Sequence, residues 1–190
     1  MLEHFIENIQ INNMNQLDIN QMQRLKEKYK RLFKNQKILE LGSLDMNGSV
    51  WDLFENCEMT GVDWVAGPHV THVMKCSDTE FKPETFAFII SLNHMEHDPY
   101  WEQSLKHNIP ALMVGGMMFL KWCSTHSSKH CAEYDPSGKL GYYPKELNEV
   151  MNFFNVNYRE FRLKAIDKGT EHNPSIGMMA YILLEKRRND

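Results

Sequence analysis

Long apolar runs are missing from this 190-residue chain. No stretch reaches the length of a bilayer-spanning helix, and the first residues lack the basic-then-apolar order of a secretory signal. Cysteine is scarce. The four residues form no C-x-x-C pair, which argues against a disulfide framework and fits a reducing compartment. A positive excess is absent too: 21 Lys and Arg stand against 25 Asp and Glu, a net charge of −4 that provides no basis for general nucleic-acid binding. The basic clusters at 24–34 and 186–188 read as a solvated helix face and a chain terminus. A soluble, cytoplasmic chain with neither nucleic acid nor membrane as partner is expected. Its length suits one domain, 1–190, with a sizeable core.

What is present is a buried strand, Ile38-Leu39-Glu40-Leu41, that runs straight into the turn Gly42-Ser43-Leu44-Asp45-Met46-Asn47-Gly48-Ser49. A second apolar run, Met59-Thr60-Gly61-Val62-Asp63, also closes on a carboxylate. In an open α/β sheet such paired strand ends hold a nucleoside. Glycine lets the backbone approach the ligand, and the later carboxylate accepts hydrogen bonds from ribose hydroxyls. Gly42 and Gly48 fall short of the G-x-G-x-x-G on which a pyrophosphate rests, and Asp45 places an anion in the loop. A ligand with no phosphate and a positive centre fits better. S-adenosylmethionine (SAM) carries a sulfonium, an ammonium and a ribose, so acidic strand ends at Glu40 and Asp63 suit it.

Five pieces in order then resemble the core of a class I SAM-dependent methyltransferase of the small, methyltransferase type 11-like kind. Residues 37–49 resemble its first motif, and Gly61-Val62-Asp63 its second. Residues 81–90 resemble the lead into its fourth strand. Ser91-Leu92-Asn93-His94-Met95-Glu96-His97 is similar to the loop that follows, and 113–120, with Gly115-Gly116, to the turn into strand five. Ala87 and Val114 depart from the usual acidic residue and proline. The resemblance implies an α/β fold: a Rossmann-like seven-stranded sheet in the order 3-2-1-4-5-7-6, strand 7 antiparallel, with helices on both faces. It implies SAM as cofactor and S-adenosylhomocysteine (SAH) as product. The cofactor-binding residues it implies are Glu40, Leu41, Gly42, Ser43, Leu44, Asn47 and Gly48 around strand one, and Asp63, Trp64 and Val65 after strand two. Ser77 and Asp78 follow strand three, and Asn93 and His94 follow strand four.

Period and punctuation divide the chain into a leader helix within 1–35, a cofactor-binding core at 36–122, and a substrate loop, helix and C-terminal hairpin at 123–190. Ile19, Met22, Leu25, Tyr29, Leu32 and Phe33 recur at helical spacing, with Asp18 and Gln21 as an approximate capping box. A helix is expected after Asn47, with Val50, Leu53 and Phe54 inward. Strands are expected at 37–41, up to Asp63, 70–75, 86–92, 117–122, 158–163 and 178–184. Asp98-Pro99 starts a helix that turns Trp101, Leu105 and Ile109 to the sheet, and Pro144 opens another through Leu147, Val150, Met151 and Phe154. The polar stretches 123–143 and 165–175 are expected as loops on the substrate side.

Methyl transfer from SAM is an in-line displacement, so positioning carries much of it, and a general base is needed only for a weakly nucleophilic acceptor. His94 and His97 follow strand four, where the methyl group should point, and are the candidate catalytic residues. Tyr142 and Tyr143 either cover an acceptor or pack at a helix entrance. Cys123-x-x-His126-x-x-x-His130-Cys131 offers soft ligands, but adjacent His130 and Cys131 cannot easily share one metal, and no metal site is expected. A methyltransferase acting on a small-molecule acceptor is the leading reading. A non-catalytic methyltransferase-like partner subunit and a nucleotide-binding oxidoreductase are the alternatives. Oligomeric state is not legible.

Overall fold

The structure, a computed structural model, describes residues 16–46, 48–127 and 141–188. Its sheet comprises β1 (Lys37–Leu41), β2 (Glu58–Asp63), β3 (His72–Val73), β4 (Phe86–Leu92), β5 (Leu112–Ser127), β6 (Leu163–Asn173) and β7 (Gly177–Lys186). The order is β3-β2-β1-β4-β5-β7-β6, with β1 to β5 parallel and β7 antiparallel to both of its neighbours. This is the expected topology.

Because successive side chains on a strand point to opposite faces, the apolar runs of β1, β4 and β5 supply two cores at once. Leu39, Leu41, Ile89, Met118, Leu120 and Trp122 face α2 (Trp101–Asn108) and α3 (Leu147–Val156), which bring Trp101, Leu105, Val150, Phe153 and Phe154. Ile38, Phe88, Ile90, Met117 and Phe119 face the other way, onto Met22 of the leader helix α1 (16–28) and onto Leu32 and Phe33 just after it. There Phe33 stacks on Phe54 with centroids 4.7 Å apart and meets Phe88 edge-on at 5.6 Å. The helix expected from Asp98-Pro99 starts later, at Trp101 with Tyr100 as its N-cap, and Asp98 braces its first turn from outside. Its Oδ1 accepts from the Tyr100 amide at 2.8 Å and its Oδ2 from the Ser104 hydroxyl at 2.5 Å.

Several elements differ from expectation. Asp18 is no cap: it lies inside α1 and is buried. The β1–β2 connection holds one 3-10 turn, Trp51–Leu53, in place of the helix expected after Asn47. The third strand shrinks to two exposed residues at the sheet edge. Residues expected as strand six form the short helix α4 (Tyr158–Phe161), which buries Phe161 and ends at Arg162 in the left-handed conformation (φ 54°). The expected loop 165–175 is largely β6. It reads as polar because β6 is an edge strand, where charged side chains remain in water and guard the open edge. Strand five runs longer than 117–122 because it pairs along β4 and β7 together.

Candidate functional site

The carboxyl ends of β1, β2 and β4 converge, and glycine makes the approach possible. Gly42 has φ 76°, and a Cβ there would sit 2.2 Å from Cγ of His94, so the first turn packs directly on the post-β4 loop. The Gly42 and Ser43 amides both donate to the Val62 carbonyl, at 2.8 and 3.1 Å, which ties that turn to β2. Asp63 is fixed by two backbone amides: Leu44 donates to Oδ2 at 3.3 Å and Val65 to Oδ1 at 2.9 Å. Gly61 is just as confined, since a Cβ would meet the His69 carbonyl at 2.0 Å.

A cavity of about 230 Å³ lies over these strand ends. Glu40, 7% exposed, stands in its wall and accepts a hydrogen bond from the Trp51 indole. Burial pushes its carboxyl up to about 7, with Asp45 and Asp63 adding to the rise and the Trp51 bond opposing it. Trp51 is itself stacked on His69, centroids 4.3 Å apart, and His69 Nδ1 lies 3.6 Å from Asp45. Across the cavity His94 carries Asp98 at 3.8 Å from Nε2. Burial lowers its affinity for a proton, but Cys76, Asp98 and Asp63 outweigh burial and lift it to about 9. At the rim the Lys75 ammonium sits over the Trp64 and Tyr100 rings, 4.8 and 5.3 Å from their centroids.

Most of the residues picked out in sequence border this one cavity: Glu40, Gly42, Ser43, Leu44 and Gly48 on the first turn, Asp63, Trp64 and Val65 after β2, and Asn93, His94 and His97 after β4. Three do not. Leu41 is in the core, Ser77 is buried and bonded to Asp78, and Asp78 faces solvent. Lys75 and Cys76 border the cavity in their place. Asn47 lies outside the described residues. His97 sets its Nδ1 3.2 Å from the Gly141 carbonyl, and its ring meets Tyr142 at 5.8 Å.

Sequence reasoning missed Trp51, the partner of Glu40, which stands in the sequence among the apolar residues Val50, Leu53 and Phe54 with no signal of its own. It also missed Asp18 as a wall of the cavity. The Asp18 carboxylate is 2.7 Å from the Lys121 ammonium and accepts from the Asn93 amide at 2.6 Å; Lys121 also bonds Glu171 on β6. Burial raises the Asp18 carboxyl against the opposing pull of Lys121 and Asn93. A signal existed here: an aspartate on the apolar stripe of a helix, and a lysine in the buried run Met117-Met118-Phe119-Leu120-Lys121-Trp122. Of the Cys/His constellation, Cys123 is buried and His126 pairs with Glu146 at 3.5 Å, while His130 and Cys131 lie outside the described residues. Among the described residues no group of three or more His, Cys, Asp or Glu is placed to hold a metal, and no helix is long and apolar enough to cross a membrane.

Strand order, the antiparallel β7 and the cleft over β1, β2 and β4 decide the architecture. The fold is that of the class I SAM-dependent methyltransferases. The 1,6-didemethyltoxoflavin-N1-methyltransferase of Burkholderia thailandensis superposes with a TM-score of 0.63 at 13% identity, over 84% of this chain and 75% of that one. A putative SAM-dependent methyltransferase from Listeria monocytogenes does so with a TM-score of 0.60 at 12% identity, over 86% of this chain and 98% of that one. The phosphoethanolamine N-methyltransferase 2 of Haemonchus contortus gives 0.63 at 14% identity over 89% of this chain, which spans about half, 53%, of that larger protein. At these identities the methyltransferase likeness is one of fold. No protein-family model matches the sequence, and no curated protein matches it.

Proposed function

We propose that this chain is a SAM-dependent methyltransferase acting on a small-molecule acceptor and releasing SAH. One observation carries the reading: the glycine turn at Gly42 and two acidic strand ends, Glu40 and Asp63, border a single cavity together with Asn93 and His94. The residues fit the group. A side chain at Gly42 would collide with His94 and displace it from the cavity wall, and that wall carries Glu40, Asp45 and Asp63 for a cofactor with a sulfonium and an ammonium. The fold neighbours named for 1,6-didemethyltoxoflavin and phosphoethanolamine support an acceptor of that size. We read the compartment as the cytoplasm, in keeping with the free thiols of Cys57 and Cys76.

In this reading Asp63, oriented by the Leu44 and Val65 amides, accepts from the ribose hydroxyls, and Trp64 and Val65 border the adenine. Gly42 and Glu40 serve the opposite, amino-acid side. Bound SAM supplies an electrophilic methyl group, and the chain's part is to hold and align the acceptor against it. In the cofactor-free chain the acidic neighbours of His94 favour its protonated form. A bound sulfonium would repel that charge and favour the neutral imidazole, which then accepts a proton from a hydroxyl or ammonium acceptor. His97, with Nδ1–H donated to Gly141, has its ring lone pair on Nε2 and is the second candidate base.

Calorimetric titration with SAM and SAH, with NAD as control, tests the proposal. Binding of the first two and not the third is expected. Asp63→Ala should weaken both by about tenfold or more, since a charge-assisted hydrogen-bond pair is lost. Failure of SAM and SAH to bind would turn the reading toward a partner subunit, and preferential NAD binding toward an oxidoreductase.

A further inference from the structure

Five carboxyl groups border the cavity, Asp18, Glu40, Asp45, Asp63 and Asp98, against a single lysine, Lys75, at its rim. Four of them have a counterpart. Glu40 and Asp63 serve the cofactor in the SAM reading, and Asp18 is paired with Lys121 at 2.7 Å. Asp45 accepts from the Gly48 amide at 2.7 Å and lies 3.6 Å from His69. Asp98 is left over. Its side chain is 10% exposed, and its hydrogen bonds come from neutral donors, the Tyr100 amide and the Ser104 hydroxyl, which orient the carboxylate without cancelling its charge. The Lys145 ammonium is near enough to sense that charge, but it is held by the Met95 and Tyr143 carbonyls at 2.6 Å each.

His94 supplies the other half of the arrangement. Gly42 confines the Cβ–Cγ–Nδ1 edge of its side chain, and the Cys76 thiol lies against the same ring. Its Nε2 is buried with no hydrogen-bond partner and stands 3.8 Å from Asp98 Oδ2, too far for a bond. With the imidazole proton on Nδ1, Nε2 presents a lone pair beside the carboxylate. Two acceptors so close can be met together by one nitrogen that gives an N–H to each. A hydroxyl has one hydrogen and satisfies only one of them; a carboxylate has none, and Asp98 repels it. Charge and pairing both select a protonated amine.

We propose that Asp98 and His94 form the binding site for the acceptor's nitrogen, and that the acceptor is a primary or secondary amine, bound as its ammonium. The inference rests on the SAM reading and names its substrate class. One N–H of the ammonium is held by Asp98. The proton of another passes to His94 Nε2: that N–H bond breaks, its electron pair stays on the acceptor nitrogen as the lone pair that methyl transfer needs, and Asp98 meets the new imidazolium charge. Pro99 and Tyr100 continue the wall outward from Asp98, so the body of the amine lies beside the Tyr100 ring.

The test titrates SAH first and then measures, by ligand-observed NMR on the SAH-loaded protein, three probes sharing one ring: benzylamine, benzyl alcohol and benzoate. Benzylamine should bind about tenfold or more tighter than the alcohol, with benzoate weakest. Asp98→Asn, which keeps an oxygen to brace the helix, should abolish that advantage and leave SAH and benzyl alcohol unchanged. Equal binding of the three by wild type would overturn the proposal, as would an Asp98→Asn loss shared by SAH and the alcohol. Should Asp98→Asn fail to fold, benzyltrimethylammonium on wild type separates paired N–H donation from charge alone. Having no N–H, it should bind about tenfold more weakly than benzylamine, and equal binding would overturn the site. If SAH itself does not bind, the SAM reading falls and this site with it; if SAH binds and the amine has no advantage, only the acceptor assignment falls.

Discussion

At the scale of single residues, the site combines confinement with misplaced charge. Gly42 has no room for a methyl group, and its φ of 76° disfavours any side chain. Gly42→Ala should fold, because the position lies at the cavity and outside the core, yet lose most SAM affinity as His94 is pushed aside. Paired melting curves and titrations would show it. Glu40 makes the opposite kind of prediction. Its carboxyl is raised from an ordinary 4.5 to about 7, so the folded chain holds that proton more tightly than the unfolded one. Its contribution to stability is therefore full below about 4.5 and is lost as pH rises through about 7. The fall is on the order of 3 kcal/mol. Urea unfolding across this range should show the decline in wild type and a flatter profile in Glu40→Gln. If the carboxylate faces a cationic cofactor, wild-type SAM affinity should climb over the same interval. A pH-independent affinity would remove Glu40 from the site.

Among the elements, each helix is placed by the sheet parity that buries its apolar stripe. Phe88, fully buried in mid-β4, meets Phe33 and Phe54 on the α1 face. Phe88→Ala should cost about 3–5 kcal/mol by leaving a cavity there, measurable by denaturant unfolding. At the other end of the sheet, α4 stops at Arg162, whose left-handed backbone strains a residue with a Cβ. Its amide bond to the Tyr158 carbonyl and its own carbonyl bond from Arg187 are both main-chain. Arg162→Gly preserves them and should stabilise the chain by about 0.5–1 kcal/mol, an upward shift of about 2 °C in melting temperature. Elements read well from sequence where burial was two-sided, as in β4, whose bounds match the apolar run 86–92. They read poorly at the sheet edge. The polar β6 looks like a loop until β7 pairs with it, and Tyr158 and Phe161, three apart, fit a single helical turn as readily as a strand.

For the molecule as a whole, one sheet carries both cores, so we expect one cooperative unfolding transition and read 1–190 as a single domain. Coincident fluorescence and circular-dichroism melts would check this, and SAM at a hundred times its dissociation constant should add about 2.7 kcal/mol of stability. The strand order was implied by the sequence's resemblance to a methyltransferase core, while Glu40, Gly42, Asp63 and His94 stood out in the sequence itself. These depend on local patterns: an apolar run, the turn glycine after it, and the carboxylate at a strand end. Only the tertiary structure decided what surrounds them. Trp51 reaches Glu40 because the β1–β2 connection turns back over the end of β1, and Asp18 meets Lys121 because α1 packs across the sheet onto β5. Such pairs join residues with no periodic relation along the chain. The cost of burying their charge is balanced only when the folded sheet brings the partners within hydrogen-bond reach.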